Sequence, residues 1–144
     1  MLSLLSHLYS RSVKQMLCLL LACSFLHTQA EQPRYEIYVF YNKFCHHCKA
    51  WMNSTGSNYE TEAPSYLGNS VPKLTKYDLA ERQNMTIYKE LLSSGKLSSP
   101  IDGVPAFIIV DENQIEINRN IGAMNTKDFY QFVNNSIHSD SNKQ

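Results

Sequence analysis

A run of β-branched and aromatic residues, Tyr35-Glu36-Ile37-Tyr38-Val39-Phe40-Tyr41, breaks at Asn42-Lys43 and delivers Cys45-His46-His47-Cys48 directly after it. That junction constrains the fold more than any other feature of the chain. The run has the length and apolar character of one buried strand. Lys49-Ala50-Trp51-Met52 continues in helix-compatible residues, so the cysteines are expected where a strand hands over to a helix. A disulfide between Cys45 and Cys48 would enclose only His46 and His47. Loop-closure entropy is small for so short a ring, so the pair is a poor structural staple. A reactive dithiol is the better reading.

Downstream, Asn53 to Asn58 is rich in turn formers and is expected to interrupt the helix. The helix is expected to resume from Tyr59 to Leu67, bent or stopped at Pro64. Val71 to Asp78 alternates as a second strand, and Glu81 to Leu92 reads as a helix with Met85, Tyr88 and Leu91-Leu92 on one face. Ser94-Gly95 ends it. The polar loop Lys96 to Asp102 leads to Gly103-Val104-Pro105 and the apolar strand Ala106 to Val110. Asp111-Glu112-Asn113 makes a tight turn before a strand from Gln114 to Asn118. Gly122 precedes a last helix from about Thr126, capped by Asn125 and Asp128, with Phe129, Phe132, Val133 and Ile137 inward. A helical crossover makes the first two strands parallel, and a short turn makes the last two antiparallel. The expected class is α/β, a mixed central sheet of about four strands flanked by helices.

The other cysteines, Cys18 and Cys23, lie in a segment with the anatomy of an export signal. Arg11 and Lys14 precede the apolar stretch Met16 to Leu26, no acid occurs before Glu31, and Thr28-Gln29-Ala30 offers small residues to a signal peptidase. The stretch is shorter than the about 20 apolar residues a membrane-spanning helix needs. Residues 1–30 are therefore expected to be a signal peptide cleaved near Ala30, followed by a domain over 31–138 and a polar tail over 139–144. Leu20-Leu21-Ala22-Cys23 is also similar to a lipobox, in which Cys23 becomes a lipidated N-terminus. A buried N-terminal helix is the plainer alternative. On the export reading the domain is periplasmic or otherwise extracytoplasmic, where disulfides persist. Thirteen basic residues balance thirteen acidic ones, and no basic stripe points to nucleic acid as a partner. Sequons begin at Asn53, Asn84 and Asn134, acceptors in a eukaryotic secretory pathway.

This order of elements, with Phe44-Cys45-His46-His47-Cys48-Lys49 after the first strand, Val104-Pro105 opening the third and Gly122 before the last helix, resembles the thioredoxin superfamily from about Tyr35 to Ile137. Cys48-Lys49-Ala50-Trp51 and Glu62-Ala63-Pro64-Ser65-Tyr66 resemble small periplasmic thioredoxin-like proteins associated with sulfur-oxidation clusters. His47 is instead the residue that strongly oxidising members carry before the second cysteine. The resemblance implies a protein thiol–disulfide oxidoreductase in which Cys45 attacks, Cys48 resolves, and His47 and Pro105 assist. It implies a cis Val104–Pro105 bond, with Val104, Phe44 and His46 meeting the substrate chain. It implies no cofactor beyond the redox-active pair, exported proteins with thiols or disulfides as substrates, a membrane reductase or oxidase as redox partner, and a monomer. Two positions depart from the family pattern: Val39 stands where members often bury an acid, and Phe44 where thioredoxin has tryptophan.

A helix N-terminus favours the anion of Cys45, whereas Cys48, one turn deeper, is expected to stay protonated. Stabilising the thiolate stabilises the reduced form, so the pair leans towards oxidation or isomerisation. His46 and His47 add donors or charge near Cys45, or are simply solvated loop residues. Trp51 is expected in the core. A thioredoxin-like reductant, a Cu(I) chaperone using both sulfurs, and a redox-sensing binding module are the other readings of the dithiol. Structural zinc lacks a second ligand pair, and haem attachment needs a histidine where Lys49 stands.

Overall fold

Strand β1 (Glu36–Tyr41) is central because its two faces are both apolar: Ile37 and Val39 point one way, Tyr38 and Phe40 the other, and all four are buried. It pairs in parallel with β2 (Lys73–Asp78), Tyr41 opposite Asp78, and antiparallel with β3 (Ala106–Val110), Phe40 opposite Ala106. β3 in turn pairs antiparallel with β4 (Glu116–Ile121), giving the order β2-β1-β3-β4. This computed structural model describes residues 34–141. The expected signal peptide over residues 1–30, with Cys18 and Cys23, lies outside the described residues, as do positions 142–144. No helix among the described residues is long and apolar enough to cross a membrane.

Helices α1 (His46–Met52), α2 (Thr55–Leu67) and α4 (Thr126–Ser141) cover one face of the sheet, packing Trp51, Tyr59, Phe129, Tyr130 and Val133 on Ile37, Val39, Phe107 and Ile109. α3 (Arg82–Ser93) and the loop after it cover the other face with Leu91 and Leu97. The cap expected for α4 forms: Asn125 Oδ1 accepts from the Asp128 N–H at 2.9 Å, and its amide donates to the Asp128 carboxylate at 2.7 Å.

Several boundaries differ from the sequence reading. The break at Asn53 to Asn58 is confined to Asn53-Ser54, and α2 begins at Thr55. Tertiary packing overrides the turn propensity: Thr55 is buried with its hydroxyl 2.7 Å from that of Thr126, and Gly56 lies under Trp51. Pro64 does not stop α2. It sits on the exposed side, where it forfeits one donor, while buried Ala63 and partly buried Leu67 hold the last turn on the core. β4 starts at Glu116 and runs to Ile121, later than Gln114 to Asn118, because the turn is longer. Asp111 Oδ1 accepts from Asn113 and Ile115, and Gln114 has a φ of 64°. The last helix reaches into the positions read as the polar tail. α4 continues to Ser141, and Asp140 accepts a hydrogen bond from the Tyr35 hydroxyl at 3.2 Å.

Candidate active site

The chain leaves β1 at Tyr41 and enters α1 through a turn in which the Cys45 N–H donates to the Asn42 carbonyl at 2.9 Å. Asn42 also accepts the Phe44 N–H on its side-chain oxygen at 2.8 Å, a local bond that asparagine is suited to make. Cys45 is then the N-cap of α1, with extended φ −74° and ψ 123°. Its Sγ accepts from the Cys48 N–H at 3.3 Å, so sulfur fills the place an N-cap oxygen usually takes. The helix start that the sequence assigned to the cysteines is thus capped by the first of them.

The two sulfurs differ in setting. Cys45 is half-buried at the mouth of the turn, and Cys48 is 1% exposed beneath it. Both are free thiols. The hydrogen bond from the Cys48 side chain holds the Cys45 thiol below its ordinary range. Burial works against that, and the backbone N–H groups of Cys48 and His47 reinforce it. Burial pushes Cys48 up to about 11, a backbone hydrogen bond from Asn42 pulls the other way, and the neighbouring Cys45 adds to the rise. The two thiols are thereby pushed in opposite directions, the accessible one towards the thiolate and the buried one towards the protonated form.

Val104, distant in sequence, meets Cys45 here. The Val104–Pro105 peptide bond is cis. Cys45 Sγ donates to the Val104 carbonyl across 3.8 Å, and Pro105 is buried at the head of β3, its own carbonyl accepting from Gly122 at 2.8 Å. His46 and His47 are exposed on the first turn of α1, their rings edge-to-face at 5.9 Å. His47 acts on Cys45 through its backbone N–H. Phe44 is 76% exposed beside the pair, with the Lys43 ammonium over its ring at 5.7 Å. Val39 is fully buried. Trp51 is in the core between Phe107 and Phe129.

The sequence reading missed Asn42, which shapes the turn, and Asp78, whose carboxylate accepts from the Lys43 N–H at 3.2 Å. The available signal was a lone acid ending a strand parallel to the one that leads into the cysteines. No cluster of three or more His, Cys, Asp or Glu side chains is placed to hold a metal among the described residues.

No protein-family model matches the chain, and no curated protein does. Solved structures do match. The periplasmic thioredoxin SoxS of Paracoccus pantotrophus, in reduced form, superposes with a TM-score of 0.54 at 15% identity, over 72% of this chain and 96% of that one. Thioredoxin f from spinach chloroplast, long form, superposes with a TM-score of 0.50 at 27% identity, over 75% of this chain and 74% of that one. Shared strand order, helix placement and overall superposition lead to one conclusion: this chain has the thioredoxin fold, with Cys45 and Cys48 at the start of the helix that follows its central strand.

Proposed function

We propose that the chain is a thiol–disulfide oxidoreductase working outside the cytoplasm, oxidising or isomerising exported proteins through Cys45 and Cys48. The observation that carries this reading is the split between the sulfurs, Cys45 lowered and accessible, Cys48 raised and buried. In the oxidising direction a substrate thiolate attacks Cys45 in the Cys45–Cys48 disulfide. That S–S bond breaks, a mixed disulfide forms, and Cys48 leaves with the electron pair and takes up a proton. A second substrate thiolate then attacks the substrate sulfur, closing the substrate's disulfide and releasing Cys45 as a thiolate. The bonds that favour this thiolate make it the better leaving group and favour the reduced pair. A membrane oxidase is the proposed acceptor of the electrons. Exposed Phe44 and the Val104 backbone beside Cys45 are the proposed contacts for the substrate chain, met as an extended strand. Export rests on residues 1–30.

The reduction potential of the pair, equilibrated against glutathione, tests the direction. A value between about −180 and about −120 mV is expected, and one near about −270 mV would refute the oxidising reading. Failure to exchange with either glutathione disulfide or insulin would refute the enzyme reading itself.

A further inference from the structure

Asp78 ends β2 with a side chain that is 5% exposed, next to the strand that feeds the cysteines. Its Oδ1 accepts two backbone bonds, from Lys43 at 3.2 Å and from Ala80 at 3.0 Å. Its own carbonyl accepts from the Glu81 N–H at 3.0 Å and the Asn84 amide at 3.2 Å, which ties it to the start of α3. Lys43 is the second residue of the turn that Cys45 closes onto Asn42. Asn42 in turn supplies the backbone hydrogen bond that acts on Cys48. The contacts therefore run from the start of α3, through the Asp78 carbonyl and then its carboxylate, to Lys43 in the turn whose first residue, Asn42, bonds to Cys45 and acts on Cys48.

We propose that Asp78 is a positioning residue for the dithiol, its carboxylate oxygen fastening the Asn42–Cys45 turn to β2 so that Cys45 caps α1 beside Val104. The inference rests on dithiol exchange being the function. The Lys43 ammonium, half-exposed and 3.9 Å from Oδ2, adds little, since an ion pair open to solvent is weak. What acts is the aimed acceptor. Removing it strips a backbone N–H of its bond inside a tight turn, at a place where small displacements of reacting atoms are costly. Tyr41 lies opposite Asp78 in the β1–β2 register. Its phenol is raised by burial first and then by Asp78, Glu81 and Cys48, which places this corner of the sheet within electrostatic reach of the buried thiol.

The experiment compares Asp78→Ala with Asp78→Asn in the whole chain. It reads the Cys45 titration by thiolate absorbance and the rate of exchange with glutathione disulfide. Alanine removes acceptor and charge, while asparagine keeps an oxygen acceptor without the charge. Expected is a raised Cys45 midpoint and exchange slower by about tenfold or more in Asp78→Ala, with Asp78→Asn within about twofold of wild type. Three results would overturn the proposal: no change in Asp78→Ala, an Asp78→Asn as slow as Asp78→Ala, or a lowered midpoint in both variants. The last is the signature of a lost negative charge. Should Asp78→Ala not fold, amide hydrogen exchange of wild-type Lys43 decides: a protected N–H supports the fastening, and exchange at the free-loop rate refutes it. A wild-type protein that exchanges no disulfide counts against the oxidoreductase reading, while the titration and the amide exchange still report on Asp78.

Discussion

Gly56→Ala tests whether the helix behind the cysteines is fixed by packing or by intrinsic preference. Gly56 is buried in the first turn of α2, and a Cβ there would stand 2.7 Å from Trp51 Cζ3, 3.0 Å from Cε3 and 3.3 Å from Met52 Sδ. Carbon atoms pack comfortably at about 3.5–4.0 Å, so the shortfall is roughly 1 Å. The indole has little room to retreat, with Phe107 at 4.9 Å and Phe129 at 5.3 Å between ring centroids. Helix propensity alone favours alanine by about 1 kcal/mol. Overpacking a well-filled core costs about 1–3 kcal/mol, and a boxed ring falls in the upper part of that range. The net expectation is a loss of about 1–2 kcal/mol, or a fall in Tm of roughly 5–15 °C for a domain of this size. Urea denaturation followed by Trp51, the one tryptophan of the chain, measures it, with circular dichroism as the second probe. A variant as stable as wild type, or more so, would refute the reasoning, since the ring would then have space that the geometry denies it. Trp51 lies one turn after Cys48, so the same clash is expected to disturb exchange as well.

Two further outcomes are expected. Cys48→Ala removes the largest cause of the lowered Cys45 thiol, so the Cys45 titration moves upward and mixed disulfides with protein substrates accumulate. An unmoved titration would mean that the helix end alone sets the thiolate. Glu116→Gln is expected to destabilise most at neutral pH. Burial alone would raise the Glu116 carboxyl, but hydrogen bonds from Arg119 at 2.5 Å and from Ser98 at 2.9 and 3.0 Å hold it below its ordinary 4.5. A carboxyl depressed in the folded state contributes stability that is present above the unfolded value and is lost as pH falls through the folded one. The urea midpoints of wild type and Glu116→Gln are therefore expected to keep their gap above about pH 4.5 and to converge as the pH falls below it, and a gap independent of pH would contradict this.

Where local chemistry decides the outcome, the sequence was sufficient. The continuous apolar run at Ile37 to Phe40 marked a strand covered on both faces, Asn125 and Asp128 marked a cap, and Cys45 marked a helix start. Where a distant partner decides it, local reading failed. Turn formers at Thr55 to Asn58 became helix because Thr55 meets Thr126 and Gly56 receives Trp51. Pro64 stayed inside α2 because Ala63 and Leu67 anchor the following turn. Gln114 left the strand because the turn at Asp111 takes it to a positive φ.

The sequence alone determined that two cysteines stand between a buried strand and a helix, with a Val-Pro pair to follow, because hydrophobic periodicity and helix capping act over a few residues. The sequence also pointed to Cys45 as the lowered thiol and Cys48 as the protonated one, but only the tertiary structure decided the causes: the Cys48 side chain and two backbone N–H groups acting on Cys45, and burial acting on Cys48. The tertiary structure also decided that Val104, 59 positions away, meets Cys45, and that Asp78, 35 positions away, holds Lys43. Contacts of that separation exist only once the sheet has set β1 beside both β2 and β3, and no local pattern in the chain encodes the pairing.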